Sequence, residues 1–237
     1  MIGTWLSHVY SLNRYAMDQQ REAWNPLVDF NAFGTDSVGR RMGILGYGAI
    51  GRNCARIGRA MGMQVYAYTH SSKPTPESRR DTSGYCVPGT GDPDGSIPER
   101  WFSDGIDEFL AQDLDILVIA VPLRDSTRGL IGRPQFEILG RGSKKTFVSN
   151  VARGGIIDTD ALVEALETRT IGGAALDVTD PEPLPKGHPL WKAPNVFISP
   201  HISWQSKNVF TRVADILFRN LERLEKGEPM LNPIKRS

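Results

Sequence analysis

Apolar positions recur at helical spacing at the start of the chain. Trp5, Leu6, Val9, Leu12 and Tyr15 share one face and predict a helix over 3–22. A loop rich in Asn, Pro, Gly and Asp follows over 25–39. The short apolar run 42–45 reads as a strand. Ile50, Cys54, Ile57 and Met61 lie on one face of a helix over 50–61, and 63–68 reads as a second strand. Periodicity fades over 71–103, where Ser, Lys, Pro, Gly, Asp and Arg dominate. An unstructured stretch of that length inside a compact domain predicts an inserted, mobile surface excursion.

Alternation then resumes. Helices are predicted over 106–111, 133–139, 158–167 (capped by Asp158 or Thr159) and 203–226, and strands over 115–121, 145–150, 172–178 and 196–199. The last helix carries apolar Val209, Val213, Ile216, Leu217 and Leu221. Strands alternating with helices predict βαβ units: an α/β, Rossmann-type doubly wound parallel sheet with helices on both faces.

Composition narrows the class. The 237 residues allow one large or two small domains. The 28 Lys+Arg against 27 Asp+Glu leave no electrostatic footprint for nucleic acid or an acidic membrane surface. A hydrophobic content of 40% argues against disorder of the whole chain. The longest apolar run, 116–123, is interrupted by Pro122 and is too short to span a bilayer. Ser7, His8, Asn13 and Arg14 interrupt the N-terminal apolar residues, which do not read as a signal peptide. Two cysteines, Cys54 and Cys86, argue against a disulfide framework and a zinc site, and a reducing, cytoplasmic compartment is expected.

The candidate chemistry begins at Gly46-Tyr47-Gly48-Ala49-Ile50-Gly51, a G-x-G-x-x-G run between a predicted strand and a predicted helix. The first glycine permits a tight turn, the second lets the backbone approach a pyrophosphate, and the third allows close helix–strand packing. The helix N-terminus adds free N–H groups and partial positive charge. Dinucleotide sites selective for NAD place Asp or Glu about 20 residues further on. Here that region reads Tyr68-Thr69-His70-Ser71-Ser72-Lys73, and the next carboxylate is Glu77. Hydroxyls and a cation suit a 2′-phosphate, so NADP is preferred over NAD; the alternative is that His70 and Lys73 are plain solvated residues.

Three polar residues lie at or just beyond predicted strand ends, the edge where open parallel sheets bind ligands: Arg153 in SNVARGGIID, Glu182 in DVTDPEPLP and His201 in ISPHIS. An imidazole can protonate an oxygen that gains negative charge, a carboxylate beside it can orient it, and a guanidinium can grip a substrate carboxylate. Taken singly, each is more often a surface or loop residue; together they form a plausible site. Asp177, ending the strand AALDV, could hold a nicotinamide amide or cap a turn. His8, His70 and His188 read as structural or surface residues.

At these residues the chain resembles the D-isomer-specific 2-hydroxyacid dehydrogenases. GILGYGAIGRNCARIGRAMGMQVYAY resembles the family's nucleotide turn, AVPLRDSTRGLIG its strand–loop beside the cofactor, NVARGGIIDTDALVEAL the segment with its arginine, and GGAALDVTDPEPLPKGHPLWKAPNVFISPHIS that with its acidic residue and histidine. The resemblance implies hydride transfer between NAD(P)H and a small 2-keto or 2-hydroxy acid. It implies that Arg153 binds and polarises substrate, His201 gives or takes a proton, and Glu182 supports it. Gly46, Gly48, Ala49, Ile50 and Gly51 would hold the cofactor, with Thr69, His70, Val121, Pro122, Thr127, Val151, Ala152, Asp177 and Ser203. It also implies a C2 homodimer, a linker or dimerisation helix over 1–24, a nucleotide-binding domain over 25–203, and a helix and tail over 204–237 belonging to a residual substrate domain. Most of the family's substrate domain precedes the point where this sequence opens. A second reading is therefore a catalytically silent NAD(P)-binding, dimerising or cofactor-sensing module.

Overall fold

The computed structural model describes residues 1–26, 36–142 and 144–233, so most of the expected loop over 25–39 lies outside the described residues. The chain opens with α1 (Ile2–Val9) and α2 (Leu12–Gln20). It continues through β1 (Arg41–Leu45), α3 (Ala49–Ala60), β2 (Gln64–Tyr68), α4 (Pro76–Arg79) and β3 (Arg100–Phe102). Next come α5 (Ile106–Leu110), β4 (Ile116–Ile119), α6 (Arg133–Gly140), β5 (Phe147–Asn150) and α7 (Thr159–Glu167). Then β6 (Gly173–Leu176), β7 (Val196–Ile198) and α8 (Val209–Glu225) complete the series.

The seven strands form one sheet in the order β3-β2-β1-β4-β5-β6-β7, and every neighbouring pair is parallel. This is the doubly wound α/β architecture. Its chain order reverses between β1 and β4, which opens a crevice at their C-terminal ends. The central strands are apolar along their length because both faces are covered. Met42 and Ile44 of β1 and Ile116 and Val118 of β4 enter one core with Trp5, Val65 and Phe147. Leu45, Leu117 and Ile119 enter the opposite core with Phe109, Phe136 and Leu162.

Four expectations need correction. The first helix is two: the chain turns at Ser11, whose φ is 53°, because only the part around Trp5 packs on the sheet while Leu12, Tyr15 and Met17 stay exposed. Helix α3 does not bury Ile50 and Ile57, which are exposed; it buries Gly51, Cys54, Ala55 and Gly58 against the sheet, and Arg52 beside the Gly46–Gly48 turn. A Cβ at Gly58 would stand 2.8 Å from Met42 Cε, so this helix lies too close to the sheet for large residues on its inner face. Segment 71–103 is not structureless: it contains α4 and β3, an edge strand paired with β2. Finally, 203–208 is loop, and α8 begins at Val209. The apolar residues Phe210, Val213, Leu217, Phe218 and Leu221 of α8 are exposed. Among the described residues no helix is long and apolar enough to cross a membrane.

Candidate active site

The strand register builds the site. Leu45, Ile119, Asn150, Leu176 and Ile198 lie in one row across β1, β4, β5, β6 and β7. The residues that follow them therefore leave the sheet along a single edge, and these are the segments that carry the candidate residues.

At β1 the chain turns through Gly46, with φ 99° and its N–H donating to the Tyr68 carbonyl at 3.0 Å. A Cβ at Gly46 would lie 2.8 Å from both the Ala120 carbonyl and Val121 Cγ1, so the turn lies against the end of β4. A Cβ at Gly51 would lie 2.2 Å from the Gly46 carbonyl oxygen, which only glycine allows. Gly48 caps α3 and has nothing within 4 Å of the place a Cβ would occupy. The three glycines thus divide as the motif requires: two make close packing possible, and one leaves a bare surface before Ala49 and Ile50 at the helix N-terminus. That cradle fits a pyrophosphate.

Beside it, Thr127 Oγ1 donates to the Pro122 carbonyl at 2.8 Å and accepts from the Arg124 N–H at 2.8 Å, shaping the loop after Val121. Thr69 follows β2, its N–H bonded to the Phe102 carbonyl and its hydroxyl to the Ser71 carbonyl, while His70 is exposed.

The loop after β5 begins at Val151, whose N–H reaches the Ile119 carbonyl at 3.3 Å. Fully buried Asn150 holds it with both ends of its amide. Nδ2 donates to the Arg153 carbonyl at 2.9 Å, and Oδ1 accepts from the Ala152 N–H at 3.1 Å. Arg153 is exposed, with Nη1 donating to the Ala152 carbonyl at 2.6 Å. At the next residue, Gly154, a Cβ would stand 2.0 Å from the Thr179 carbonyl, so the Arg153 loop presses directly on the chain that leads to Glu182.

Glu182 and His201 meet. Glu182 Oε1 and His201 Nδ1 are 2.6 Å apart, with side chains 39% and 38% exposed, so the pair lies at the surface. His201 has φ 54°, and its N–H donates to the Asp177 carbonyl at 2.8 Å. The Asp177 carboxylate accepts from Ser199 Oγ at 2.6 Å, the Ile202 N–H at 3.0 Å and the Ser203 N–H at 2.9 Å. Burial pushes its carboxyl upward, but the bonds from Ser199, Ser203 and Ile202 outweigh this and hold it below the usual carboxylate value. Both of its oxygens are engaged in closing the turn that presents His201.

Direct bonds therefore join Glu182 with His201 and Asp177 with Ser203, and backbone contact places the Arg153 loop against the Glu182 segment. Sequence reasoning missed Asn150, Ser199 and Thr179. A polar residue at the end of the predicted strand, just before the Arg153 loop, was the available signal for Asn150.

The sequence model described as "D-isomer specific 2-hydroxyacid dehydrogenase, NAD binding domain" matches residues 2–86 and 98–203. The glycerate dehydrogenase of Methylorubrum extorquens is 33% identical over 91% of this chain and 60% of its own length. The glyoxylate reductase of Aeropyrum pernix is 33% identical over 91% of this chain and 57% of its own length. Among solved structures, a D-isomer specific 2-hydroxyacid dehydrogenase of Xanthobacter autotrophicus in complex with NADPH and MES is 28% identical. It superposes with a TM-score of 0.74 over 99% of this chain and 84% of that one. The chain spans about half to two thirds of the length of the curated relatives compared, 45% at the least and 64% at the most among eight of them.

Proposed function

The chain belongs to the D-isomer specific 2-hydroxyacid dehydrogenase family, and from that premise we propose that it binds NAD(P) at the glycine-rich turn and moves a hydride to or from a small 2-keto or 2-hydroxy acid. The observation that carries the reading is the Glu182–His201 bond on the same strand edge as the Gly46–Gly51 cradle.

The roles follow from the bonds. An ionised Glu182 accepts from Nδ1–H, so Nε2 of His201 is the nitrogen that faces substrate. Nε2 delivers a proton to the carbonyl oxygen on reduction and removes it on oxidation, while Glu182 stabilises the charged imidazole. Arg153 has one donor engaged by the Ala152 carbonyl and others open to solvent, which suits a bidentate grip on a carboxylate. Gly48, Ala49 and Ile50 offer backbone N–H groups to the diphosphate, and Val121, Pro122, Thr127, Val151 and Ala152 line the groove beside them. A bound dihydronicotinamide supplies the hydride. Asp177 and Ser203 act through the turn that holds His201. The end of β2 lacks a carboxylate and presents Thr69 and His70, which favours NADP over NAD. The exposed Leu12, Met17, Ile50 and Ile57 support a homodimer.

Fluorescence titration with NADH and NADPH, then oxidation assays with glyoxylate, hydroxypyruvate and pyruvate, test the proposal. Binding of both nucleotides, tighter for NADPH, is expected, with turnover that His201→Ala and Arg153→Ala each lower at least about 100-fold. Near-normal rates in these variants would remove the assigned roles, and binding without turnover would favour the silent module. Failure to bind either nucleotide overturns the proposal.

A further inference from the structure

The turn Gly46-Tyr47-Gly48 has two glycines in three residues; Gly46 is held by its packing and its bond to the Tyr68 carbonyl, but beyond it, at Gly48, no packing restrains the backbone. Tyr47 is the one side chain by which the fold can hold it. That side chain is buried, and it is fixed on three sides. The Arg52 guanidinium lies over the ring, 4.9 Å from its centroid, and Trp101 packs edge-on at 4.9 Å. The hydroxyl donates to Asp92 Oδ2 at 2.7 Å.

Asp92 is the hub of this arrangement. It is 4% exposed, and its carboxylate also accepts from the Ser96 and Ile97 N–H groups at 3.1 and 3.2 Å. Its carbonyl accepts from Arg52 Nη1 at 2.6 Å, while Arg52 Nη2 donates to the Arg79 carbonyl at 2.7 Å. Arg52, in the first turns of α3, is thereby turned into the interior. Gly95, with φ 66°, allows the loop to close on Arg79, since a Cβ there would lie 2.2 Å from the Arg79 carbonyl oxygen. The family match breaks between residues 86 and 98, so Asp92 is supplied by a segment outside it.

We propose that residues 79–97 form a strap that presets the glycine-rich turn for a diphosphate, with Asp92, Tyr47 and Arg52 as positioning residues. This rests on the dinucleotide reading of the turn. A segment with no contact to the ligand then raises affinity by removing the ordering cost of a flexible loop. The effect is confined to ligands that carry the diphosphate, because the strap acts on the turn and not on the adenosine end.

Tyr47→Phe removes one hydroxyl and Asp92→Asn keeps the shape of the hub. Titration with NADH, NADPH and ADP-ribose should show affinity falling roughly three- to tenfold, about the effect of one lost buried hydrogen bond. Adenosine, followed by NMR, should bind both variants within about twofold of the unaltered chain, and Tyr85→Ala, on the same segment but outside the hub, should bind all four ligands normally. Should Asp92→Asn fail to fold, Tyr47→Phe decides alone. Unchanged ADP-ribose affinity in folded Tyr47→Phe overturns the strap, as does an equal loss of adenosine and ADP-ribose, which marks general damage. If the unaltered chain binds no dinucleotide, the reading of the turn fails first and the strap with it.

Discussion

Replacing Asp177 by alanine removes the acceptor of three hydrogen bonds, from Ser199 Oγ, Ile202 N–H and Ser203 N–H. Hydrogen bonds to a charged acceptor contribute about 1.5–3 kcal/mol each, but Ile202 and Ser203 lie near solvent and water recovers part of the loss. A net destabilisation of about 2–4 kcal/mol is expected, measured as the difference in unfolding free energy in urea at pH 7. The pH dependence supplies an internal check. The folded-state pKa of Asp177 lies below its ordinary value of 3.8. The unfolded chain therefore takes up the proton first as pH falls. The stabilisation is complete above 3.8 and is lost as pH drops through the lower folded-state value. The gap between the unaltered chain and Asp177→Ala should hold from pH 7 to about pH 4 and narrow below it. The His201 N–H bonds to the Asp177 main-chain carbonyl, so that contact survives, while the 202–203 turn loosens and the Glu182–His201 bond loses its support. A variant within about 0.5 kcal/mol of the unaltered chain, or a gap that persists undiminished in strong acid, would refute this account of the carboxylate.

Two further outcomes separate effects that sequence alone confounds. Gly51→Ala should cost about 1–3 kcal/mol in urea unfolding and abolish dinucleotide binding, because its Cβ would overlap the Gly46 carbonyl. Gly48→Ala should leave stability within about 0.5 kcal/mol yet weaken NADPH binding more than about tenfold, since only a ligand would meet the new methyl. His8, stacked on Phe147 with ring centroids 4.5 Å apart, is held below its ordinary value of 6.5 by burial. It folds uncharged, so its contribution is present above 6.5 and shrinks as pH falls toward the folded-state value. The melting temperature should therefore drop less between pH 7 and 5 in His8→Phe than in the unaltered chain; equal drops would count against a buried neutral imidazole.

Much of the fold was legible because its signals are local. Apolar runs such as Ile116–Ile119 need no partner to be recognised, and the Gly46–Gly51 spacing reports a turn geometry directly. The inner face of α3 departs from the usual rule that large apolar residues point inward, because the helix lies close to β1: Gly58 meets Met42, Gly51 meets the Gly46 carbonyl and Ile44, and Cys54 and Ala55 are buried between them. The order within 71–103 was hidden because β3 is short and its pairing with β2 is a tertiary fact. Glu182 and His201 could be nominated by their chemistry, but their bond spans 19 residues and depends on the β6–β7 register. Tyr47 and Asp92, 45 residues apart, gave no pattern at all.

The amide of Asn150 has one further implication. It closes a small ring with the chain it precedes, giving a proton at one end and receiving one at the other. Aspartate there would set a negative oxygen against the Arg153 carbonyl, leucine would strand both main-chain groups away from water, and glutamine is one methylene too long for the same ring. The stretch of main chain that carries the Arg153 side chain is thus shaped by a buried residue three positions earlier. Any attempt to transplant that arginine into another scaffold has to carry its asparagine along.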